Sequence, residues 1–215
     1  TWRLVGTGEP YSSTEEMVFE IQAIIEKKML PPVPNNKRAR HPGPFMRQGV
    51  MLVGLDTPTF NNALDAIDEI YGIFGRTLPE GTLEPGDSIT RAENCILHAS
   101  NRLLTPKRDA LNTKVLELPN GVDPHGVLRA TIDEGEYLYC DDNEVKYFEC
   151  KTDKNGKKLF YRVQPQIYRV GDIVEVQVSF VVTPVREGKR KMRTILRSIA
   201  LINGKFTQVR TGNGQ

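Results

Sequence analysis

At 215 residues, the chain has the length of one large domain or two small ones. With 39% hydrophobic and 26% charged residues it can bury a sizeable core, which excludes a wholly disordered polymer. A net charge of +2 excludes any whole-molecule electrostatic case for nucleic acid or an anionic membrane, so such a case must come from local clustering.

The first predicted element is a helix over residues 14–29. Ser13 and Glu16 have the spacing of a capping box. Met17, Val18, Ile21, Ile24, Ile25 and Lys28 follow at three- to four-residue intervals, and Pro31 and Pro32 end the segment. Residues 31–48 read as a mobile basic loop, with five prolines and with Lys37, Arg38, Arg40 and Arg47. Gln48–Asp56 reads as a short strand buried on both faces. A second helix starts at Pro58, capped by Thr57 or Asp56. Phe60, Leu64, Ile67, Tyr71 and Phe74 form its apolar face, and Gly75 closes its end. A third helix is expected over 88–104, with Ile89, Ala92, Cys95, Ile96, Ala99 and Leu103 on one side.

From Val115 the period shifts to two. Tyr137–Cys140 and Val145–Lys151 are expected to pair around Asp141–Glu144. Val145–Lys151 and Lys158–Val163 are expected to pair around Asn155-Gly156 in a type I′ turn. In Asp172–Thr183, Val174, Val176, Val178, Phe180 and Val182 share one face, and Glu187-Gly188 turns the chain into Arg190–Ile202. Asn203-Gly204 leads into a last strand over Lys205–Val209. The fold class is α+β: a helical first half (1–113, with one buried strand) packed on an antiparallel meander or partial barrel (114–210). The whole of 1–215 reads as one unit, because the helices need the Val/Phe face to cover.

The strongest binding candidate is the basic cluster of the long hairpin: Arg186, Lys189, Arg190, Lys191, Arg193 and Arg197, opposed only by Glu187. A ribbon with such a face can track a phosphate backbone, so nucleic acid or another anionic partner is expected. Lys151, Lys154, Lys157 and Lys158 could extend the surface, and Tyr147, Phe160, Tyr161 and Tyr168 could stack on bases. The bland alternative is that lysines at hairpin tips block edge-to-edge pairing of sheets.

Catalytic candidates are weaker. Glu149 and Lys151 form an E-x-K on a strand, with Asp133 and Asp142 as the acids a metal-dependent nuclease would need upstream. Asp123 and His125 could act as an acid–base pair or hold a metal in a hydrolase, although Asp-Pro turn formation explains the same residues. His41 and His98 have no ligand spacing, Gly6-Thr7-Gly8 is too short for a phosphate loop, and no G-x-S-x-G exists. No metal or other cofactor is implied, and a non-enzymatic binding module is the leading expectation. A third expectation is a self-associating module that pairs sheet edges into a homo-oligomer.

No apolar run approaches the ~20 residues of a membrane helix, so no membrane partner is expected. Cys95, Cys140 and Cys150 are odd in number and lack C-x-x-C spacing, which favours a reducing, intracellular setting, cytoplasmic or nuclear. With Thr1 rather than Met as first residue, a fragment or a processed product is expected. The stretches Gly171–Phe180, Leu196–Leu201, Val115–Asp123 and Trp2–Pro10 resemble a multi-copy protein family of mushroom-forming (agaricomycete) fungi. That resemblance brings no activity or catalytic residues. It implies an association with mobile elements, hence a nucleic-acid-related role and an intracellular location.

Overall fold

Period-two patterning governs more of the chain than the helical spacing of its first half suggests. A computed structural model describes residues 1–6, 16–34, 46–91, 93–110 and 113–205. Its strands are β1 (Trp2–Arg3), β2 (Phe19–Met29), β3 (Arg47–Val53), β4 (Leu83–Glu84), β5 (Ile89–Arg91) and β6 (Cys95–Arg102). They continue with β7 (Thr105–Pro106), β8 (Tyr137–Leu138), β9 (Lys146–Thr152), β10 (Lys158–Arg162), β11 (Ile173–Pro184) and β12 (Arg190–Asn203). The α-helices are α1 (Pro58–Thr77) and α2 (Val127–Asp133). The class is α+β, dominated by a ten-stranded, mainly antiparallel sheet.

Two expected helices are strands. In β2, Ile21, Ala23 and Ile25 are buried while Glu20 and Gln22 are exposed. Alternation and β-branched side chains therefore prevail over a three-to-four spacing that the same residues also satisfy. The segment 88–104 folds as β5 and β6, with Leu97, Ala99 and Asn101 inward. The helix at Pro58 is present, and Phe60, Leu64, Ile67, Ile70 and Phe74 are its buried residues. Its ends differ from expectation: Thr57 makes no side-chain capping bond, Gly75 lies inside the helix, and Leu78 caps it in an extended conformation. The absent cap costs about 1 kcal/mol, which is small beside about 2 kcal/mol for each of the buried side chains.

The second half holds a helix the pattern did not reveal. Asp123 accepts hydrogen bonds from the Val127 and Arg129 amides (both 2.8 Å) and so anchors the start of α2. Tyr137–Leu138 pairs with β7 rather than with β9, and Asp141–Asn143 is a 3₁₀ turn, so the expected 137–151 hairpin does not form. The β9–β10 hairpin does form. Its turn has Gly156 as the only positive-φ residue, with Asp153 accepting from the Asn155 and Lys157 amides at 2.8 Å. This is the longer glycine-bulge loop rather than type I′. β11 and β12 pair along their length, with Val174, Val176, Val178, Phe180 and Val182 buried as the pattern requires. Most of the 31–48 loop, including Lys37, Arg38, Arg40 and His41, lies outside the described residues, as do Ser13 and the strand expected over 205–209 beyond Lys205.

The sheet order is β10-β9-β12-β11-β2-β3-β6-β5. It curls around a core shared with α1 until β6 lies alongside β12, without a ladder between them. The barrel thus stays open along one seam. One edge of β12 is occupied by β11. Its other edge pairs with β4 at Arg190–Lys191 and with β9 at Ser198–Leu201, which leaves the intervening residues facing β6. A smaller core of Val33, Leu103, Leu104, Val122, Leu128 and Tyr139 lies beside the main one. No helix among the described residues is long and apolar enough to cross a membrane.

Candidate polyanion cleft

The open seam is where the basic residues gather. In the β3–β6 register Arg47 lies opposite Arg102 and Gly49 opposite Ser100. A Cβ on Gly49 would sit 2.6 Å from the Ala99 carbonyl oxygen, so only glycine permits this close approach of the two strands. On β12, Arg193 and Arg197 point to the outer side while Met192 and Leu196 point into the core. The β11–β12 ladder has a register shift at Arg197, whose side chain reaches Glu16 and the 3₁₀ turn at 141–143.

Together these elements enclose a cleft of about 730 Å³ whose lining includes five arginines: Arg3, Arg47, Arg102, Arg193 and Arg197. Asp109, Asp141 and Asp142 also line it, and among the described residues no Phe, Tyr or Trp does. A second cavity of about 420 Å³ shares Arg47 and Arg193 with it and adds Asp87, His98, Ser100 and Thr194.

The arginines are not equivalent. Arg197 pairs with Glu16 (Nη2–Oε1, 2.7 Å) and lies 3.7 Å from Asp142. Its Nε also donates to Ser179 Oγ at 3.0 Å. Arg3 pairs with Asp142 at 2.5 Å and with Glu16 at 3.2 Å. Asp87 takes both Lys191 (2.8 Å) and Arg193 (3.0 Å). Arg47 instead donates to Ser100, from Nε to Oγ at 3.0 Å and from Nη2 to the carbonyl at 3.2 Å. Among the described residues neither Arg47 nor Arg102 has a carboxylate within ion-pair distance.

Ionisation follows this layout. Burial lowers the pKa of Arg47, and the charges of Arg193 and Arg102 lower it further, with partial relief from Asp87. Burial alone would raise the Asp142 pKa, but the hydrogen bond from Arg3 and the charges of Arg3, Arg197 and Arg102 outweigh it and hold the carboxyl below its ordinary range. Asp87 is likewise lowered: burial opposes, and the Lys191 hydrogen bond with the charges of Arg193 and Lys191 prevails. Positive charge is therefore in excess around Arg47 and Arg102, where an incoming anion would relieve repulsion. The Thr194 hydroxyl bordering the second cavity is the one buried side-chain oxygen among the described residues without a hydrogen-bond partner.

Of the cluster expected from sequence, Arg193 and Arg197 line the cleft, and Lys191 joins Arg193 on Asp87. Arg186 and Lys189 are exposed at the hairpin turn, where Lys189 donates to the Gly81 carbonyl at 2.8 Å. Arg190 is half-buried beside β4. Arg3, Arg47 and Arg102 were missed. Arg47 was legible as a cation of the proline-rich stretch, but its pairing with Arg102 was hidden while 88–104 read as a helix.

The expected stacking aromatics divide. Tyr168 is fully buried and its hydroxyl bonds Phe148 and Ile199, and the Tyr147 hydroxyl donates to Gln48 Oε1 at 2.5 Å. Both are core anchors unable to stack on a base. Phe160 and Tyr161 are exposed, the latter under Lys151. Glu149 pairs with Lys151 at 3.0 Å, Asp142 is held by Arg3 and Arg197, and Asp133 ends α2. Asp123 is engaged in anchoring α2, with His125 exposed in the adjoining turn. Among the described residues no group of three or more His, Cys, Asp or Glu side chains is placed to hold a metal ion. The three cysteines are free thiols.

No protein-family model and no curated protein matches the sequence. Solved structures with a similar chain course include gp2.5, a single-stranded DNA-binding protein encoded by bacteriophage T7. It has 15% identity and a TM-score of 0.49, over 87% of this chain and 92% of that one. The single-stranded DNA-binding protein from bacteriophage Enc34 has 9% identity and a TM-score of 0.43, over 86% and 79% of the two chains. Its C-terminal truncation has 10% identity and a TM-score of 0.42, over 93% and 98%.

Proposed function

We propose that the protein is a binding module for nucleic acid, with the backbone of a single strand seated in the seam between β6 and β12. The observation that carries this reading is the pair of guanidinium groups, Arg47 and Arg102, that line the cleft without a carboxylate partner among the described residues. Guanidinium is suited to phosphate because its N–H donors form a planar fork matching two oxygens. A cleft of about 730 Å³ admits a short stretch of single strand, whereas a duplex is a rigid cylinder that it does not enclose. No aromatic ring among the described residues lines the cleft, which supports recognition of backbone rather than base. Such binding is insensitive to sequence and sensitive to salt.

The test is fluorescence anisotropy with labelled single- and double-stranded oligonucleotides at 50 and 200 mM salt. Three phosphate contacts at about −0.7 per phosphate weaken single-strand binding about 20-fold across that range. Absence of binding at the lower salt, or affinity unchanged between the two, overturns the reading.

A further inference from the structure

On the far side of the 3₁₀ turn at 141–143 lies a different kind of cavity, of about 300 Å³, at the junction of the two hydrophobic cores. Neighbouring residues divide between the two spaces: Arg47 and Asp142 line the cleft, Gln48 and Glu144 this cavity. The wall between them is held firmly. Asn143 is fully buried, and its Oδ1 accepts from the Cys140 amide (2.8 Å) and the Thr105 hydroxyl (3.1 Å). Its Nδ2 donates to the Arg102 carbonyl at 3.2 Å, and its own carbonyl accepts from Gln48 Nε2 at 2.9 Å.

The cavity combines apolar walls with polar and charged side chains. Pro119, Pro165 and Val163 supply the apolar walls. Tyr147 and Gln48 satisfy one another across the floor. Asn120, Lys146, Arg162 and Gln164 line it as well, beside Tyr139 and Glu144. Tyr139 is 3% exposed and lines the cavity. Among the described residues the Glu144 carboxylate forms one ion pair, with Arg162 at 4.0 Å. Burial, then the charge of Glu144, pushes the Tyr139 pKa up to about 12, so the hydroxyl keeps its proton at neutral pH. A committed donor thus lines the same small space as a carboxylate acceptor.

We propose that this cavity binds a nucleobase, with guanine preferred. Guanine presents two adjacent N–H donors, on N1 and the exocyclic amine, which one carboxylate accepts together. Beside them lies a carbonyl that accepts from a hydroxyl. Adenine places a ring acceptor where guanine has N1–H, directed at Glu144, and that mismatch leaves the carboxylate unsatisfied. The base could arrive as a free nucleoside or as part of a strand, and the site stands whether or not the cleft binds phosphate.

The experiment is titration of isotopically labelled protein with guanosine, adenosine and a guanine-containing trinucleotide, followed at the Val145, Tyr147 and Val163 amides. Guanosine shifts these signals and binds at least about tenfold tighter than adenosine. Glu144→Gln weakens it about tenfold and Tyr139→Phe about fivefold, while Arg47→Ala with Arg102→Ala leaves it unchanged. Shifts with the trinucleotide alone identify a strand as the source of the base. Silence at these amides with every probe, equal affinity for adenosine, or an unaltered Glu144→Gln variant overturns the proposal.

Discussion

The tip of the β11–β12 hairpin and the facing ends of β3 and β6 are both rich in cations, but they use that charge differently. Towards the tip, Lys191 and Arg193 share Asp87, and Lys189 is bonded to a backbone carbonyl. Farther along β12, Arg197 is neutralised by Glu16 and Asp142. At the ends of β3 and β6, Arg47 and Arg102 are brought together by strand register and have no carboxylate partner among the described residues. Arg186, Lys189 and Arg190 of the tip also lack a carboxylate partner among the described residues, so the seam differs in gathering its unpaired guanidinium groups in one cleft.

Four substitutions break or sharpen that contrast. Asn143→Ala has the largest expected effect. It strands the Cys140 amide and the Thr105 hydroxyl in a buried wall of the cleft, at a cost of about 3 kcal/mol by denaturant unfolding. Asp142→Asn removes the acceptor of Arg3 and Arg197 and destabilises by about 1–2 kcal/mol. Because the folded-state pKa of Asp142 is lowered, its contribution is complete above the unfolded value near 4 and is lost as pH falls through the folded pKa. Unfolding measured from pH 6 to pH 2 should therefore show less acid destabilisation in Asp142→Asn than in the native protein. Asp87→Asn frees Lys191 and Arg193 and strengthens oligonucleotide binding about threefold to tenfold at low salt, read by anisotropy. Thr194→Val removes an unpaired buried hydroxyl and raises stability by about 1 kcal/mol, seen as a higher Tm.

The long hairpin was legible because β11 alternates from Ile173 to Val178 and the five residues the period predicts are all buried, although Ser179 and Val181 are buried as well. The helix α1 was legible for the corresponding reason, with Pro58 at its start and a strict apolar face. β2 and β6 were not, because short segments containing Ile24-Ile25 or Cys95-Ile96 satisfy both periods, and only pairing with distant strands decides between them. α2 was hidden because its start is anchored from Asp123, outside the usual capping position. Half of the cleft followed the same fate. Arg193 and Arg197 lie on a strand whose period was plain, whereas Arg47 and Arg102 meet only through a register that local sequence does not encode.

Salt dependence of single-strand binding compares the seam with the tip most directly. The slope of log affinity against log salt is measured for the native protein, for Arg47→Ala with Arg102→Ala, and for Arg186→Ala with Lys189→Ala. If the seam holds the phosphates, the first pair flattens the slope by about 1.4 and the second leaves it unchanged. An unchanged slope in the seam variant with a flattened one in the tip variant would place the anion on the hairpin turn and contradict the seam as the binding site.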